Sequence, residues 1–352
     1  MARAIIVARV LRSLVISDLH LGGRLRHGVL TRPEPLRRLL RAIDGIDRLV
    51  LLGDTIELLE GRPQQAMAIA EPIISALGDR LGAGREALVI PGNHDRALVR
   101  GWIRAQGPLL RVDAVVPSDA SPALERLVSW LAPARVTVRY PGTWLSDGVW
   151  AMHGHYLDRH LLPVSAYGVS RDLLRRSSRP TAASVVDYEH VRRPSLARTS
   201  RWMPQPVATL VDDAAELVRA ATMPRIERRL LNRWMAPLTA TLLGTQMQRA
   251  AVPAVTQVVH RLGIDADWVV FGHVHRLGPL RQDDPAQWRG PGGRPRIVCS
   301  GSWQYEPLLV HRAMPPHPYW PGGAVLVEDG AFPQAIGLLD DVSEDLLRGA
   351  VP

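Results

Sequence analysis

Four short apolar runs in this chain each end on side chains that bind hard or borderline cations. LVISDLH carries Asp18 and His20, LVLLGDTIE carries Asp54, LVIPGNHD carries Asn93 and His94, and WVVFGHVH carries His273 and His275. Branched apolar runs this short, closed by glycine or proline, read as buried strands rather than helices. In an open α/β sheet ligands bind in the crevice outside the carboxyl ends of the strands. Four such ends bearing carboxylate, amide and imidazole therefore predict one metal centre gathered from distant segments. Asp18 and His20 stand two apart, which on a continuing strand turns both to the same side. Pro91 and Gly92 stop the third run and let its backbone approach the site.

Between these ends the pattern alternates. EPLRRLLRAI has helical spacing and completes a βαβ unit with the Asp18 and Asp54 strands, and Gln64 to Leu81 again reads as helix. Glu86 to Ile90 is the third strand. Val99 to Leu131 gives helix-like pieces broken by Gly107, Pro108 and Pro117, and Val136–Tyr140 and Val149–Met152 read as two short strands joined by PGTWLSDG, the second delivering His153. From Tyr156 to about Gly263 the strand signal vanishes, and Arg, Ala, Leu, Met and Trp dominate helical stretches. Strands resume at Trp268–Phe271, Arg296–Ser300 and Ala324–Val327. The expected organisation is a core in two parts, 1–155 and 264–352, interrupted by a helical insertion over 156–263. Trp202, Met203, Met223, Trp234, Met235 and Met247 give the insertion either a small core of its own with a solvated basic face or an apolar, arginine-bearing lid. Both of its ends are pinned beside the cleft, one after His153 and one before His273.

At 352 residues the chain can bury a sizeable core. The net charge is +9, which raises polyanions as partners. The chain has no lysine and only two asparagines, Asn93 and Asn232, a bias expected of GC-rich coding, so much of the arginine is background and a dedicated nucleic-acid site is not favoured. Against that bias, an asparagine between Gly92 and His94 is a deliberate choice. The one cysteine, Cys299, lies in an apolar run and reads as a buried, inert thiol. MARAIIVARVLRS is interrupted by Arg9 and Arg12 and lacks a signal-peptide cleavage site, and no run approaches a membrane span, so a cytoplasmic, at most membrane-peripheral, protein is expected.

Taken in order, DLH, GDTIE, GNHD, HGH and GHVH resemble the motif blocks of the calcineurin-like metallophosphoesterases, from Leu14 to about Phe332 apart from the insertion. The resemblance implies an α/β fold, a β-sandwich of two mixed sheets flanked by helices, here with the helical insertion as a cap. It implies hydrolysis of a phosphomonoester, phosphodiester or pyrophosphate by attack of a hydroxide bridging two divalent ions, which the donor types allow to be manganese, iron or zinc. Carried over by position, Asp18, His20, Asp54 and His275 bind one ion, and Asp54, Asn93, His153 and His273 the other. His94 stabilises the transition state or protonates the leaving oxygen, with Asp95 orienting its ring, and Glu57 is a supporting acid. Arg24 and Arg96 reach the substrate phosphate. His155 competes with His153 for the ligand position, which His153 takes because it directly follows the strand. His160, His190, His260, His311 and His317 read as ordinary hydrogen-bonded histidines.

The insertion is similar in placement to the helical lid of the UDP-diacylglucosamine pyrophosphatases, which have Arg where this chain has His94 and Asp where it has His155. The substrate class this leaves is a small-molecule phosphoester or pyrophosphate, lipid- or nucleotide-linked. Two alternatives stand beside it: a DNA-directed phosphodiesterase, suggested by charge alone, and a non-catalytic scaffold, which would be expected to show gaps among donors that are all filled here. If one carboxylate serves both ions, Asp54→Asn should deplete both together from the roughly two divalent ions expected per chain. Metal analysis of protein purified without chelator checks this, and retention of both ions in the variant would overturn the assignment.

Overall fold

The structure, a computed structural model, describes residues 11–23, 27–160, 182–189, 236–310 and 312–348, with backbone only for 236–248 and for 308. The N-terminal segment, Arg24, His190, His311 and the insertion's named Trp and Met side chains lie outside the described residues.

Among the described residues eleven strands form a mixed sheet. β1 (Arg12–Ile16), β2 (Arg48–Leu51) and β3 (Glu86–Val89) run parallel side by side, and the N-terminal half of β5 (Arg135–Ser146) continues them in parallel. β10 (Gly323–Glu328) and β11 (Gln334–Gly337) extend the other edge antiparallel. The C-terminal half of β5 pairs with β6 (Val149–Met152), which leads in parallel to β7 (Trp268–Phe271) and β9 (Arg296–Ser300), with β8 (Leu277–Gly278) at the end. β4 (Asp113–Val115) pairs antiparallel with the middle of β5. The strand path is thus continuous through β5.

β5 corrects the sequence reading. Pro141 and Gly142 look like breakers, yet they lie inside one twelve-residue strand. β5 pairs β3 up to Val138 and β6 from Gly142 onward, so the proline, which has no N–H to give, falls where the partner changes. Gly142 lets the backbones close: a Cβ there would stand 2.5 Å from the Ala151 carbonyl oxygen. β4 went unread because three residues are too few to show an alternation.

Side-chain alternation sets the layers. Leu14 and Ile16, Leu49 and Leu51, and Ala87 and Val89 point to one face, where α1 (Pro33–Ile43) and α2 (Pro63–Leu81) bring Leu39, Ile43, Ile74 and Leu77 against them. Val15, Val50, Leu88 and Ile90, with Val325 of β10, point to the other face, and there they meet Val149, Ala151, Val270 and Val298 from the far half of the strand path. Both faces of the central strands are therefore dry, which is why these runs are continuously apolar rather than alternating. Four further helices frame the core: α3 (Arg100–Gln106), α4 (Pro122–Trp130), α5 (Val185–Glu189) and α6 (Ala236–Arg261). From the insertion, α6 sends Val252, Val255, Val258 and Val259 into the same cluster as the sheet, so its C-terminal half belongs to the main core. α7 (Pro307–Val310) and α8 (Glu344–Arg348) follow β9 and β11. Among the described residues no helix is long and apolar enough to cross a membrane.

Leu88 sits where the two halves of the strand path meet, with its side chain in the apolar cluster between them. Leu88→Ala should cost about 2–5 kcal/mol of stability by leaving a cavity there, read in denaturant melts. Metal content of the folded fraction should stay at the wild-type level.

Candidate metal centre

The donors converge, but by a different local geometry from the one alternation predicts. β1 ends at Ile16 and β2 at Leu51, so Asp18, His20 and Asp54 lie on the turns beyond the strands. Asp18 (φ 55°), His20 (42°), Asp54 (52°), His273 (69°) and His275 (57°) all occupy the left-handed region, and Arg312 is the only other non-glycine residue to do so among the described residues. Each such backbone costs on the order of 1–3 kcal/mol and persists only where its surroundings over-determine it. Backbone hydrogen bonds supply that constraint: Asp18 N–H donates to Gly53 O and His20 N–H to Asp54 O, lacing the first two turns together.

Asp18, His20 and His275 form one group whose donor atoms lie within 4.8 Å of one another, and Asp54, His153 and His273 form a second. His275 Nε2 is 3.3 Å and His20 Nε2 3.9 Å from Asp18 Oδ1. Asp54 Oδ2 faces both groups, 3.7 Å from His20 Nε2 and 3.2 Å from His153 Nε2. Asn93 Oδ1 lies 3.3 Å from His153 Nε2. His153 is completely buried with Nε2 in the cluster. Both ring nitrogens of His155, by contrast, are shut away with no hydrogen-bond partner, its ring centroid 5.6 Å from that of His153.

Charge is what draws these side chains together. Burial alone would raise the Asp18 carboxyl, but the His275 ring beside it holds it down at about 2. Burial acts in the same direction on Asp54, and the adjoining His153 depresses it well below the usual carboxylate range. Burial would lower His153, yet Asp54 pulls it up to about 10. His155, with burial and then the charge of His153 both working against its proton, is driven well below the usual imidazole range. The residues fit a divalent cation on two counts. Asp18 Oδ1 is buried and makes no well-formed hydrogen bond although His275 Nε2 faces it at 3.3 Å, an arrangement suited to a cation between the two. The donor set is carboxylate, amide oxygen and imidazole, and imidazole binds as the neutral ring, so an ion would displace the protons that the carboxylates now attract.

The rear nitrogens are also fixed. Glu57 Oε2 accepts from His20 Nδ1 at 3.0 Å and from His94 Nδ1 at 2.7 Å. The Leu52 carbonyl takes His153 Nδ1 at 2.9 Å. Burial would raise Glu57, but the two histidine hydrogen bonds hold it at about 2, and the same contact with Glu57 raises His94 above its ordinary value despite burial. This corrects the role given to Asp95. Its oxygens accept from Thr55 N–H (2.8 Å) and Gly92 N–H (2.6 Å), pinning the GNHD turn to the Asp54 turn, while Glu57 orients the His94 ring. Burial, with Asp54 nearby, pushes Asp95 up to about 6.

Arg96 does not point at the cluster as an unengaged cation. Its Nε donates to Glu189 Oε2 at 2.8 Å and its Nη2 closes the same pair. His160 has the ordinary role expected, Nε2 lying 2.9 Å from the Tyr188 hydroxyl. Cys299 is fully buried, and burial pushes its thiol up to about 12, as an inert core residue requires. One contact escaped the sequence reading: Asp158 Oδ1 stands 2.9 Å from His273 Nε2. The single available signal was an acid five residues past His153.

Glycines before the donors carry a steric requirement. At Gly92 a Cβ would lie 2.3 Å from Asp54 Oδ1, and at Gly272 it would lie 2.4 Å from Ser17 Oγ and 2.6 Å from Asp18 Oδ2. Only a bare backbone brings these turns close enough to share a centre.

A mixed α/β sheet with strained turns at its strand ends, holding carboxylates and imidazoles at a few ångströms, defines a metal-dependent hydrolytic centre. The sequence profile of the calcineurin-like phosphoesterases matches residues 11–218, more than half the chain. The chain belongs to that family and is a metal-dependent phosphoric ester hydrolase. The match ends before His273 and His275, which the fold itself brings in. No curated protein matches the chain. Among solved structures, a point mutant of a cold-active protein tyrosine phosphatase matches at TM-score 0.34, with 14% identity over 94% of this chain and 78% of that one. The cold-active protein-tyrosine phosphatase of a psychrophilic Shewanella species matches at TM-score 0.31, with 13% identity over 91% and 76%. Likeness this weak bears on neither fold nor activity here.

Glu57→Gln should lower turnover and loosen metal together, each by about 10–100-fold, because one carboxylate steadies both His20 and His94. Steady-state kinetics and metal titration of the same preparations check this. A variant losing neither would remove Glu57 from the site.

Proposed function

We propose that the protein hydrolyses a phosphomonoester, phosphodiester or pyrophosphate at a centre of two divalent ions, on a two-layer metallophosphoesterase sandwich. The observation that carries this reading is that two histidine–carboxylate groups meet at one oxygen, Asp54 Oδ2, in a chain of this family. Asp18, His20 and His275 would hold one ion, and Asn93, His153 and His273 the other, with Asp54 between them. When bound, manganese, iron or zinc would supply Lewis acidity toward the phosphoryl oxygens and lower the pKa of water.

The chain's own residues supply the rest. His94 Nδ1 rests on Glu57, which leaves Nε2 to donate to the leaving oxygen. Its backbone N–H donates to Asp54 Oδ1 at 2.8 Å, so the acid and the shared carboxylate move as one unit. Asp95 fixes the turn that carries His94 through its two backbone hydrogen bonds. Arg96 would meet substrate phosphate as a guanidinium already paired with Glu189 through Nε and Nη2.

For the substrate, the sequence of the insertion supports a small molecule with a diphosphate and an apolar tail, lipid- or nucleotide-linked; a cytoplasmic, at most membrane-peripheral, location is part of the proposal. Arginines would hold the diphosphate, while the Met and Trp side chains of residues 191–235 would meet the tail. Tyr156, Asp158 and the end of α6 contact the core, so a lid test must spare them.

The test is a panel of aryl phosphate, bis-aryl phosphate, cyclic nucleotides, UDP-sugars and DNA, with added manganese. It is run on the whole protein, on His94→Ala, and on protein with 191–235 replaced by a Gly/Ser linker. His94→Ala should lower turnover by about two to four orders of magnitude with metal content preserved. The linker variant should keep aryl phosphate hydrolysis and lose its preference for the larger substrate. Inactivity of the folded, metal-loaded whole protein across the panel would favour a scaffold, and equal losses on small and large substrates would make the insertion structural.

A further inference from the structure

Each histidine that offers nitrogen to an ion has a second nitrogen, and what that nitrogen touches decides whether the first carries a lone pair or a proton. His20 gives its Nδ1 to Glu57 and His153 gives its Nδ1 to the Leu52 carbonyl, so both present Nε2. His273 is reversed. Its Nε2 meets Asp158 Oδ1 at 2.9 Å, which leaves Nδ1 as the nitrogen available to an ion. Its main chain is held from the other side, its N–H donating to Asp18 Oδ2 at 2.9 Å with φ at 69°.

Asp158 is about half exposed, and an exposed carboxylate usually holds a partner weakly. Here its backbone is clamped. It lies in the 3-10 turn His155–Arg159, which is entered through Gly154 at φ 112°. The Tyr156 hydroxyl donates to Glu189 Oε1 at 2.5 Å, and the Tyr156 ring stacks on Tyr188 with centroids 4.8 Å apart. Arg159 Nη1 donates to the Asp187 carbonyl at 3.0 Å while its guanidinium lies over the Tyr188 ring. Residues 187–189 of the insertion thus fix the turn on both sides of Asp158, so the carboxylate needs little ordering to meet His273.

We propose that Asp158 is a positioning residue: by accepting from Nε2–H it holds His273 as the tautomer whose Nδ1 lone pair faces the second ion. This rests on the two-ion reading above. It makes the first turn of the insertion part of the metal centre, so the insertion acts on the chemistry as well as on the choice of substrate.

The test titrates chelator-treated, full-length protein with manganese(II), following free ion by its paramagnetic resonance signal. Wild type should show two binding events. Asp158→Ala should leave one event unchanged and weaken the other by about 10–100-fold, the usual cost of losing a carboxylate behind a metal-binding histidine. Asp158→Asn should recover part of the loss, since its amide oxygen can still accept from Nε2–H. Arg159→Ala, which loosens one side of the same turn but leaves the Asp158 carboxylate in place, should weaken the same event by less than Asp158→Ala does. Two wild-type-like events in Asp158→Ala would overturn the proposal, as would an Arg159→Ala defect equal to that of Asp158→Ala. A wild type that takes up only one ion would instead sink the two-ion reading, and the proposal with it, before any variant is compared.

Discussion

Two carboxylates, Asp18 and Asp54, are buried almost completely at the ends of neighbouring parallel strands, and the rest of the site follows from the need to compensate them. A buried charge without a counter-charge costs several kcal/mol or more. The fold meets that cost by bringing His153 and His275 from two later segments to within 4 Å, and the same field that protonates His153 in their presence is the one that would hold a divalent ion. The donors are therefore attracted to one point before any substrate arrives, which is the preorganisation a phosphoryl-transfer site needs.

Holding them there takes backbone strain. Five donors sit at positive φ, and that cost is carried by the lacing of turns: Asp18 to Gly53, His20 to Asp54, and Asp95 to Thr55 and Gly92. Beneath these turns lies a sheet whose central strands are dry on both faces, so the strand ends have little freedom to shift. Glu57 adds a direct link, one oxygen steadying both a candidate metal donor and the candidate acid.

The insertion is tied into this arrangement more closely than its composition suggests. Glu189 collects Arg96 from the GNHD turn together with Tyr140 and Tyr156, joining three segments around one buried carboxylate. The valines near the end of α6 join the main core. What reads along the chain as a separate cap thus shares, through these contacts, both the core and the border of the centre.

The sequence by itself determined the donor set and its order. Aspartate, asparagine and histidine at the ends of short apolar runs have few other reasons to recur in one chain, and the runs themselves forced buried strands because both of their faces are apolar. It could not determine how the donors face one another. Period-two alternation placed Asp18 and His20 on one side for the wrong reason, since both lie past the strand on left-handed turns that only tertiary hydrogen bonds can hold. It gave Asp95 the role that belongs to Glu57, because adjacency along the chain says nothing about which carboxylate reaches a ring across the fold. It passed over Asp158 for the same cause. Which nitrogen of a histidine is held, and by what, depends on groups brought together from 37 to 115 residues away, and only the folded chain decides that.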